Sequence, residues 1–499
     1  MTGTPGTRMR PLGRTTIHVS IIMSAAFALL AGAAGYWGVV AAPDLVRSPN
    51  DAAVIAASRT VPRGQIIDRD GNVLAANKKD SNGDFYRVYA GRAISQVVGY
   101  ASARYGRVGI ERAFDAELAG IGGDSLGDVL AKFGAERYDP KDITVSLSSD
   151  LQKAAVAALG DRRGAVVMLD PRSGEVLVLA STPTYDASAI TDPGTARTAF
   201  EELQADPSQP LLPRATLGRY VPGSVFKIVT AVAALGSGAI TPDTTFNRQP
   251  RSEEAGLLVD GFRVRDGHHP STGSTALDLT AATEVSCNIY YALAGLRTGG
   301  ADLVDYAARM GFGAPLPFDL PTAVSQVTNG SGSEPGSFVD DVELANAAYG
   351  QAETFVTPLQ MALVASTIAN EGELMQPRLV TSMTGKGSGT RTFGPRVIDR
   401  VLPVADAQAI KAAMVQAVEG PLGRQFTTGA QVPGVTTAGK SGTAELGGSG
   451  EPHSWFVGFA PADDPKVVIA VLVEQAGRGA EVASPIAGDL MARFLRTLP

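Results

Sequence analysis

Ser224 and Lys227 stand three positions apart in Val221-Pro222-Gly223-Ser224-Val225-Phe226-Lys227. Pro222 and Gly223 interrupt the chain, and Ser224–Leu235 reads as a helix of apolar and small residues that stops at Gly236. A serine in a first helical turn has backbone N–H groups and the positive dipole end beside it. A lysine three positions on shares its face. A hydroxyl so placed becomes nucleophilic without histidine when the amine takes its proton, provided burial keeps that amine neutral part of the time. A lone pair of this kind also fits a buried helix with one solvated lysine, so its meaning depends on partners elsewhere.

Two further groups supply them. Ser286-Cys287-Asn288 lies in a helix-to-loop segment, and Lys440-Ser441-Gly442-Thr443 lies on an expected strand near the C-terminus. The order S-x-x-K, S-x-N, K-[ST]-G is the signature shared by penicillin-binding proteins and serine β-lactamases. Each residue type has a chemical reason to be there. Ser224 attacks a carbonyl and Lys227 receives its proton. Ser286 and Asn288 relay that proton and hold a substrate amide. Lys440 offers positive charge to a substrate carboxylate and to the field around Lys227, and the Ser441 and Thr443 hydroxyls donate to the same carboxylate. Gly442 lets a substrate backbone lie close to the strand edge. The backbone N–H groups of Ser224 and Thr443 form the expected oxyanion hole.

Other motifs compete. Gly434-Val435-Thr436-Thr437-Ala438-Gly439-Lys440-Ser441 matches the phosphate-binding string G-x-x-x-x-G-K-[ST]. That site needs a buried strand before it and a helix after it. Arg424–Pro433 has no such apolar run, and Gly442-Thr443-Ala444-Glu445-Leu446-Gly447-Gly448 is a poor helix start. Gly123-Asp124-Ser125-Leu126-Gly127 fits the hydrolase elbow G-x-S-x-G, but the segment before it reads as helix where a strand is required. Cys287, the only cysteine, excludes an intrachain disulfide. With no histidine near it in sequence, it reads as a packing residue. The four histidines form no metal-ligand spacing, and no metal or cofactor is expected. A net charge of −7 without a long basic run argues against nucleic acid as a partner.

The elements that must carry these residues follow from the rest of the chain. It has 499 residues, of which 44% are hydrophobic and 19% charged, which suits globular cores. Residues 1–16 hold Arg8, Arg10 and Arg14 and no acid. From Val19 to Ala42 there is no charge, long enough to cross a hydrocarbon core of about 30 Å as a helix. Tyr36 and Trp37 sit near its far end, where aromatic rings favour the interface. This predicts a cytoplasmic tail over 1–16, a single membrane anchor over 17–42 and an exported body. A cleaved signal peptide is the rival, with a shorter apolar core.

Residues 45–140 read as a small mixed segment, with two short strands around Asp68-Arg69-Asp70-Gly71-Asn72 and helices over Ile110–Leu118 and Ser125–Phe133. A larger domain spans 142–499. It opens with a helix over Leu147–Leu159 and a hairpin, Gly164–Ser181, turning at Asp170-Pro171-Arg172-Ser173-Gly174. Helices are expected over Leu277–Arg297, Leu303–Met310, Thr357–Ala369 and Ala405–Val418. A meander of Val435–Leu446, Trp455–Ala460 and Val467–Glu474 precedes a last helix, Pro485–Thr497. Strands at both ends with helices between predict an α+β domain, one antiparallel sheet with helices packed on it.

With these residues in view, the chain resembles a class B penicillin-binding protein, a D,D-transpeptidase of cell-wall synthesis, over nearly its whole length. Besides the three motifs, Arg63-Gly64 through Leu74-Ala75 and Gly109-Ile110-Glu111 through Gly120 resemble the family's N-terminal pedestal. So do Tyr349-Gly350-Gln351, the run Thr357–Ala362 and His453–Pro461 resemble segments around the second and third motifs. The short pedestal is similar to that of the penicillin-binding protein A subgroup. The resemblance implies the penicillin-binding transpeptidase fold and a pedestal of dimerisation type. It implies a peptidoglycan stem peptide ending in D-Ala-D-Ala as substrate, acylation of Ser224 with release of D-Ala, and attack by a neighbouring stem amine. It implies covalent inhibition by β-lactams. It also implies a bacterial plasma-membrane location, a membrane glycosyltransferase as partner, and division or elongation proteins around it. A carboxypeptidase or β-lactamase using the same acyl-enzyme with water, and a non-enzymatic anchored sensor of wall fragments or β-lactams, remain as alternatives.

Overall fold

The computed structural model describes residues 61–120, 139–249, 255–266, 276–332, 337–447 and 450–498, together with Met23 and Leu29. Val61–Pro499 forms one compact unit. Among the described residues no helix is long and apolar enough to cross a membrane. Apart from Met23 and Leu29, the expected anchor over 17–42 lies outside the described residues, as does the helix expected over Ser125–Phe133.

The N-terminal part builds a sheet from β1 (Ile66–Ile67), β2 (Val73–Lys79) and β3 (Phe85–Tyr89). Asp68 makes the expected turn. Its Oδ1 accepts the N–H groups of Asp70 at 2.9 Å and Asn72 at 2.8 Å, and Gly71 takes the left-handed conformation the turn requires. The helix expected over Ile110–Leu118 is split at Phe114 into α1 (Ile110–Ala113) and α2 (Asp115–Ala119). β4 (Lys141–Val145) joins parallel to β1, with Ile66 opposite Ile143. The distant hairpin Val380–Gly385 and Gly389–Thr392 extends the same sheet antiparallel to β4. This sheet therefore takes strands from both sides of position 140.

Glu111 is the centre of this part. Its side chain is 0% exposed between Arg63 and Arg87. Arg63 Nε donates to Oε2 at 3.0 Å, and Arg87 Nε donates to Oε1 at 2.6 Å. The Tyr89 hydroxyl adds a bond to Oε1 at 3.2 Å. A buried carboxylate is tolerable here because two guanidinium groups and a phenol surround it.

α3 (Ser149–Leu159) leads into the hairpin β5 (Gly164–Leu169) and β6 (Val176–Thr182). After the central helices, β7 (Ala438–Ala444), β8 (His453–Ala460) and β9 (Val467–Val473) complete a five-stranded antiparallel sheet in the order β7-β8-β9-β5-β6. Val468 pairs with Leu169, so the two ends of the domain meet at the middle of the sheet. Antiparallel strands often alternate apolar and polar residues, but β5, β6, β8 and β9 are buried throughout. The cause is a layer of helix on each face. Leu151 and Leu159 of α3, with Leu490, Met491 and Phe494 near the C-terminus, cover Val166, Met168, Ile469 and Val471. On the opposite face Val167, Val468, Leu472 and Trp455 pack into the cluster that holds Ile228, Val232, Leu359 and Leu363. The sequence had already set this: uninterrupted runs such as Val467-Val-Ile-Ala-Val-Leu-Val473 have no polar face to give to water. β7 is one of the two edge strands, and it carries the third motif beside the turn that holds Ser224.

Candidate active site

Ser224 does not sit in an α-helical turn as expected. Gly223–Phe226 is a 3₁₀ turn, and α4 (Lys227–Gly236) begins only at the lysine. The tighter turn serves the pair better, since side chains at i and i+3 eclipse in a 3₁₀ helix. The Lys227 backbone N–H donates to the Ser224 carbonyl. Ser224 is half-buried, whereas Lys227 is 0% exposed.

The chain before Ser224 is tied down at several points. Tyr220 and Val356 exchange both backbone hydrogen bonds at 2.9 Å. The Trp455 indole N–H donates to the Val221 carbonyl at 3.0 Å. The Tyr220 hydroxyl donates to Glu474 at 2.8 Å, and Arg214 holds the same carboxylate at 2.7 Å. Burial, and then the Glu474 charge, push the Tyr220 phenol far above its usual range, so it stays a neutral donor.

The second motif reaches Lys227 directly. Lys227 Nζ donates to Asn288 Oδ1 at 2.8 Å, to Ser286 Oγ at 3.2 Å and to the Ser286 carbonyl. The long helix expected over Leu277–Arg297 is broken to allow this. α5 (Leu279–Glu284) ends, Ser286 takes a φ of +60°, and α6 (Asn288–Thr298) starts anew with Cys287 as its N-cap. A serine at positive φ is uncommon and here turns its carbonyl and hydroxyl toward the lysine. Cys287 is buried; its Sγ accepts the Tyr290 N–H at 3.2 Å and donates to Asp266 Oδ2 at 3.1 Å. Asp266 also takes the Asn288 backbone N–H. Nothing in the sequence marked Asp266, which lies in a short polar segment and meets the motif only through the tertiary fold.

The third motif lines up along β7. Thr443 is exposed, Ser441 is nearly covered and Lys440 is 1% exposed. Lys440 Nζ donates to the Ser441 carbonyl at 3.2 Å. Burial, and then repulsion from Lys227, hold the Lys440 amine well below its usual range. Lys440 lies buried beside Lys227. Thr443 is the member of the motif that faces the opening.

Gly442 packs closely against the turn of Ser224. A Cβ there would stand 2.9 Å from the Pro222 carbonyl oxygen and 3.1 Å from Val225 Cγ1. The space that glycine leaves is taken by the turn carrying Ser224, which thereby lies flat against β7.

Together these elements border a cleft of about 860 Å³ lined by Ser224, Asn288, Thr443, Phe262, Tyr349 and Glu445, among others. Among the described residues no cluster of His, Cys, Asp or Glu could hold a metal ion. The phosphate-loop reading does not survive the geometry. Lys440 and Ser441 lie inside a strand, with no helix following to present N–H groups to a phosphate. The Gly123–Gly127 string lies outside the described residues.

Comparison with known proteins agrees with this geometry. Residues 164–492 match the penicillin binding protein transpeptidase domain, and residues 63–135 match the penicillin binding protein A dimerisation domain. The peptidoglycan D,D-transpeptidase PbpA of Mycolicibacterium smegmatis is 34% identical over 96% of this chain and 98% of its own length. PbpA of Mycobacterium tuberculosis strain H37Rv is 32% identical over 96% of this chain and 97% of its own. The penicillin G acyl-enzyme of penicillin-binding protein A from M. tuberculosis superposes with a TM-score of 0.76 at 31% identity, covering 87% of this chain and 99% of that one. Its imipenem acyl-enzyme gives 0.74 at 31% identity over 88% and 99%. A serine on a 3₁₀ turn and a buried lysine opening the next helix, locked to an S-x-N corner in a fold shared along almost the full length, place this chain among the class B penicillin-binding proteins.

Proposed function

We infer that the chain is a peptidoglycan D,D-transpeptidase working through a serine acyl-enzyme. The observation that carries this reading is the amine of Lys227, fully buried and held by Ser286 and Asn288 one 3₁₀ turn from Ser224. Lys227 takes the Ser224 proton as the hydroxyl attacks the carbonyl between the two terminal D-alanines of a stem peptide. The proton passes through Ser286 to the departing D-Ala amine. An amine of a neighbouring stem then attacks the ester, and the same groups run the second half in reverse. The N–H groups of Ser224 and Thr443 hold the oxyanion. β7 offers a free strand edge along which an extended peptide can lie. Thr443 and Ser441 bind the terminal carboxylate, with Lys440 acting from below through its charge. β-Lactams acylate Ser224 by the same steps.

Residues 17–42 anchor the chain in the bacterial plasma membrane with the catalytic body outside. Residues 45–140 serve as pedestal and 142–499 as transpeptidase domain. Glycan strands come from a separate membrane glycosyltransferase, and division or elongation proteins recruit both. An anchor and a pedestal suit an enzyme that joins two fixed strands better than one that delivers water. Incubating the full-length protein with a D-Ala-D-Ala stem-peptide analogue and an acceptor amine tests this. The expected product is the new amide with release of D-Ala. Free acid alone, at every acceptor concentration, would assign the protein to the hydrolases.

A further inference from the structure

Tyr349-Gly350-Gln351 stands apart from the three motifs, yet its glycine lies against the turn that carries Ser224. It follows α7 (Asp341–Ala347), whose end is closed by the Gly350 N–H donating to the Ala347 carbonyl at 2.8 Å. Gly350 then adopts a φ of +84°. That conformation, open to glycine at little cost, aims its carbonyl back at the chain before Ser224. The Gly223 N–H donates to this carbonyl at 2.9 Å.

The contact runs in both directions. A Cβ on Gly350 would lie 2.0 Å from the Gly223 carbonyl oxygen and 2.8 Å from Phe226 Cβ. The bare Cα of Gly350 is thus the surface against which the Gly223 carbonyl rests. A peptide unit is planar, so the Gly223 carbonyl and the Ser224 N–H belong to one rigid plane and point in opposite directions. Whatever fixes that carbonyl fixes the Ser224 N–H. Gly350 therefore orients both peptide planes that flank Gly223: one through the hydrogen bond to its N–H, the other through contact with its carbonyl.

We propose that Gly350 is a positioning residue for the reaction, setting the direction of the Ser224 N–H as an oxyanion donor. This rests on the assignment of Ser224 as nucleophile and oxyanion donor given above. The remaining sides of the same turn are closed by β7, where a Cβ on Gly223 would meet the Thr443 carbonyl oxygen at 2.9 Å. The turn is held between two backbones, and Gly350 is the side that lies outside the three catalytic motifs. Loss of one well-aimed oxyanion donor costs about 10²–10³ in rate, and misdirection of the donor is expected to approach the lower figure.

The test uses the full-length protein and a chromogenic cephalosporin under saturating conditions, which separates binding from the acylation rate. Two variants are compared with wild type. Gly350→Ala adds the obstructing methyl. Replacement of Gly223 by glycolic acid through nonsense suppression turns one amide into an ester, deleting the N–H to Gly350 and adding no bulk. The expected result is acylation slower by about 10²-fold in Gly350→Ala and about tenfold in the ester variant, with the binding constant held. The infrared band of the acyl-enzyme carbonyl should also move to higher frequency in both, reporting weaker donation to its oxygen. A purely structural role would not move that band. Acylation within about threefold of wild type in the folded variants, or slowed acylation with an unmoved band, would overturn the proposal. If Gly350→Ala does not fold, the ester variant decides alone. Absence of acylation in wild type would instead reject the nucleophile assignment itself, which keeps the two failures distinct.

Discussion

Lys227→Ala slows acylation of Ser224 by about 10²–10⁴-fold, the usual contribution of a positioned general base. The amine removed donates to three acceptors of the second motif: Asn288 Oδ1, Ser286 Oγ and the Ser286 carbonyl. Those acceptors lose their donor in the variant, with a cost in stability of about 1–3 kcal/mol for buried groups left unpaired. Thermal unfolding measured beside the kinetics separates that loss from the chemical one. Lys227→Arg sharpens the reading. A guanidinium keeps the positive charge but does not give up its proton in a protein. If Lys227 acts as base, Lys227→Arg is as slow as Lys227→Ala. Recovery of the rate by arginine would show that charge alone is required. Time-resolved labelling with a fluorescent penicillin measures each variant.

Glu111→Ala is the largest expected loss of stability. It leaves Arg63 and Arg87 buried, 5% and 2% exposed, without the carboxylate that both contact. Removing one partner of a buried ion pair costs about 3–5 kcal/mol. The pH dependence has a definite sign. Burial alone would raise the Glu111 carboxyl, but Arg87 and Arg63 outweigh it and hold the group below its ordinary value. Its contribution is therefore complete above the unfolded-state value of about 4.3 and fades as pH falls through the lower folded value. Calorimetric unfolding of wild type and Glu111→Gln between neutral pH and pH 3 should show the gap between them narrowing only at the acid end. A constant gap would mean that folding leaves the Glu111 carboxyl unshifted, and a gap that widens toward acid would mean that it is raised; either result would contradict this sign. The network lies in the N-terminal part, so penicillin acylation at neutral pH and low temperature should survive in molecules that remain folded.

Much of this was readable from residue types and local pattern. The hairpin β5–β6 announced itself through an Asp-Pro-Arg-Ser-Gly turn between two apolar runs, and the C-terminal meander through three such runs. Ser224, Lys227, Ser286, Asn288 and Lys440 stood out because S-x-x-K, S-x-N and K-[ST]-G occur in the order of a known signature, and the structure brings Lys227 onto Ser286 and Asn288. What escaped depended on contacts between residues far apart in sequence. The break at Ser286 is invisible to helix periodicity, since Leu277–Arg297 keeps its apolar spacing across it. The corner exists because Asp266 supplies the acceptor for the new helix start. The burial of Lys440 could not be read from a strand whose neighbours were unknown. Gly442 and Gly350 looked like ordinary flexible positions until another backbone was found lying against each one. In each case the chemistry was local and the reason for its geometry was not.

The proposed nucleophile, Ser224 Oγ, carries the acyl group in the covalent intermediate, and one measurement tests this directly. Full-length wild type and Ser224→Ala are incubated with a labelled penicillin, digested, and the adduct is located by peptide mass spectrometry. The account predicts a single penicilloyl adduct on Ser224 in wild type and none in Ser224→Ala. An adduct mapped to another residue, such as Cys287, or equal labelling of the Ser224→Ala protein, would contradict it.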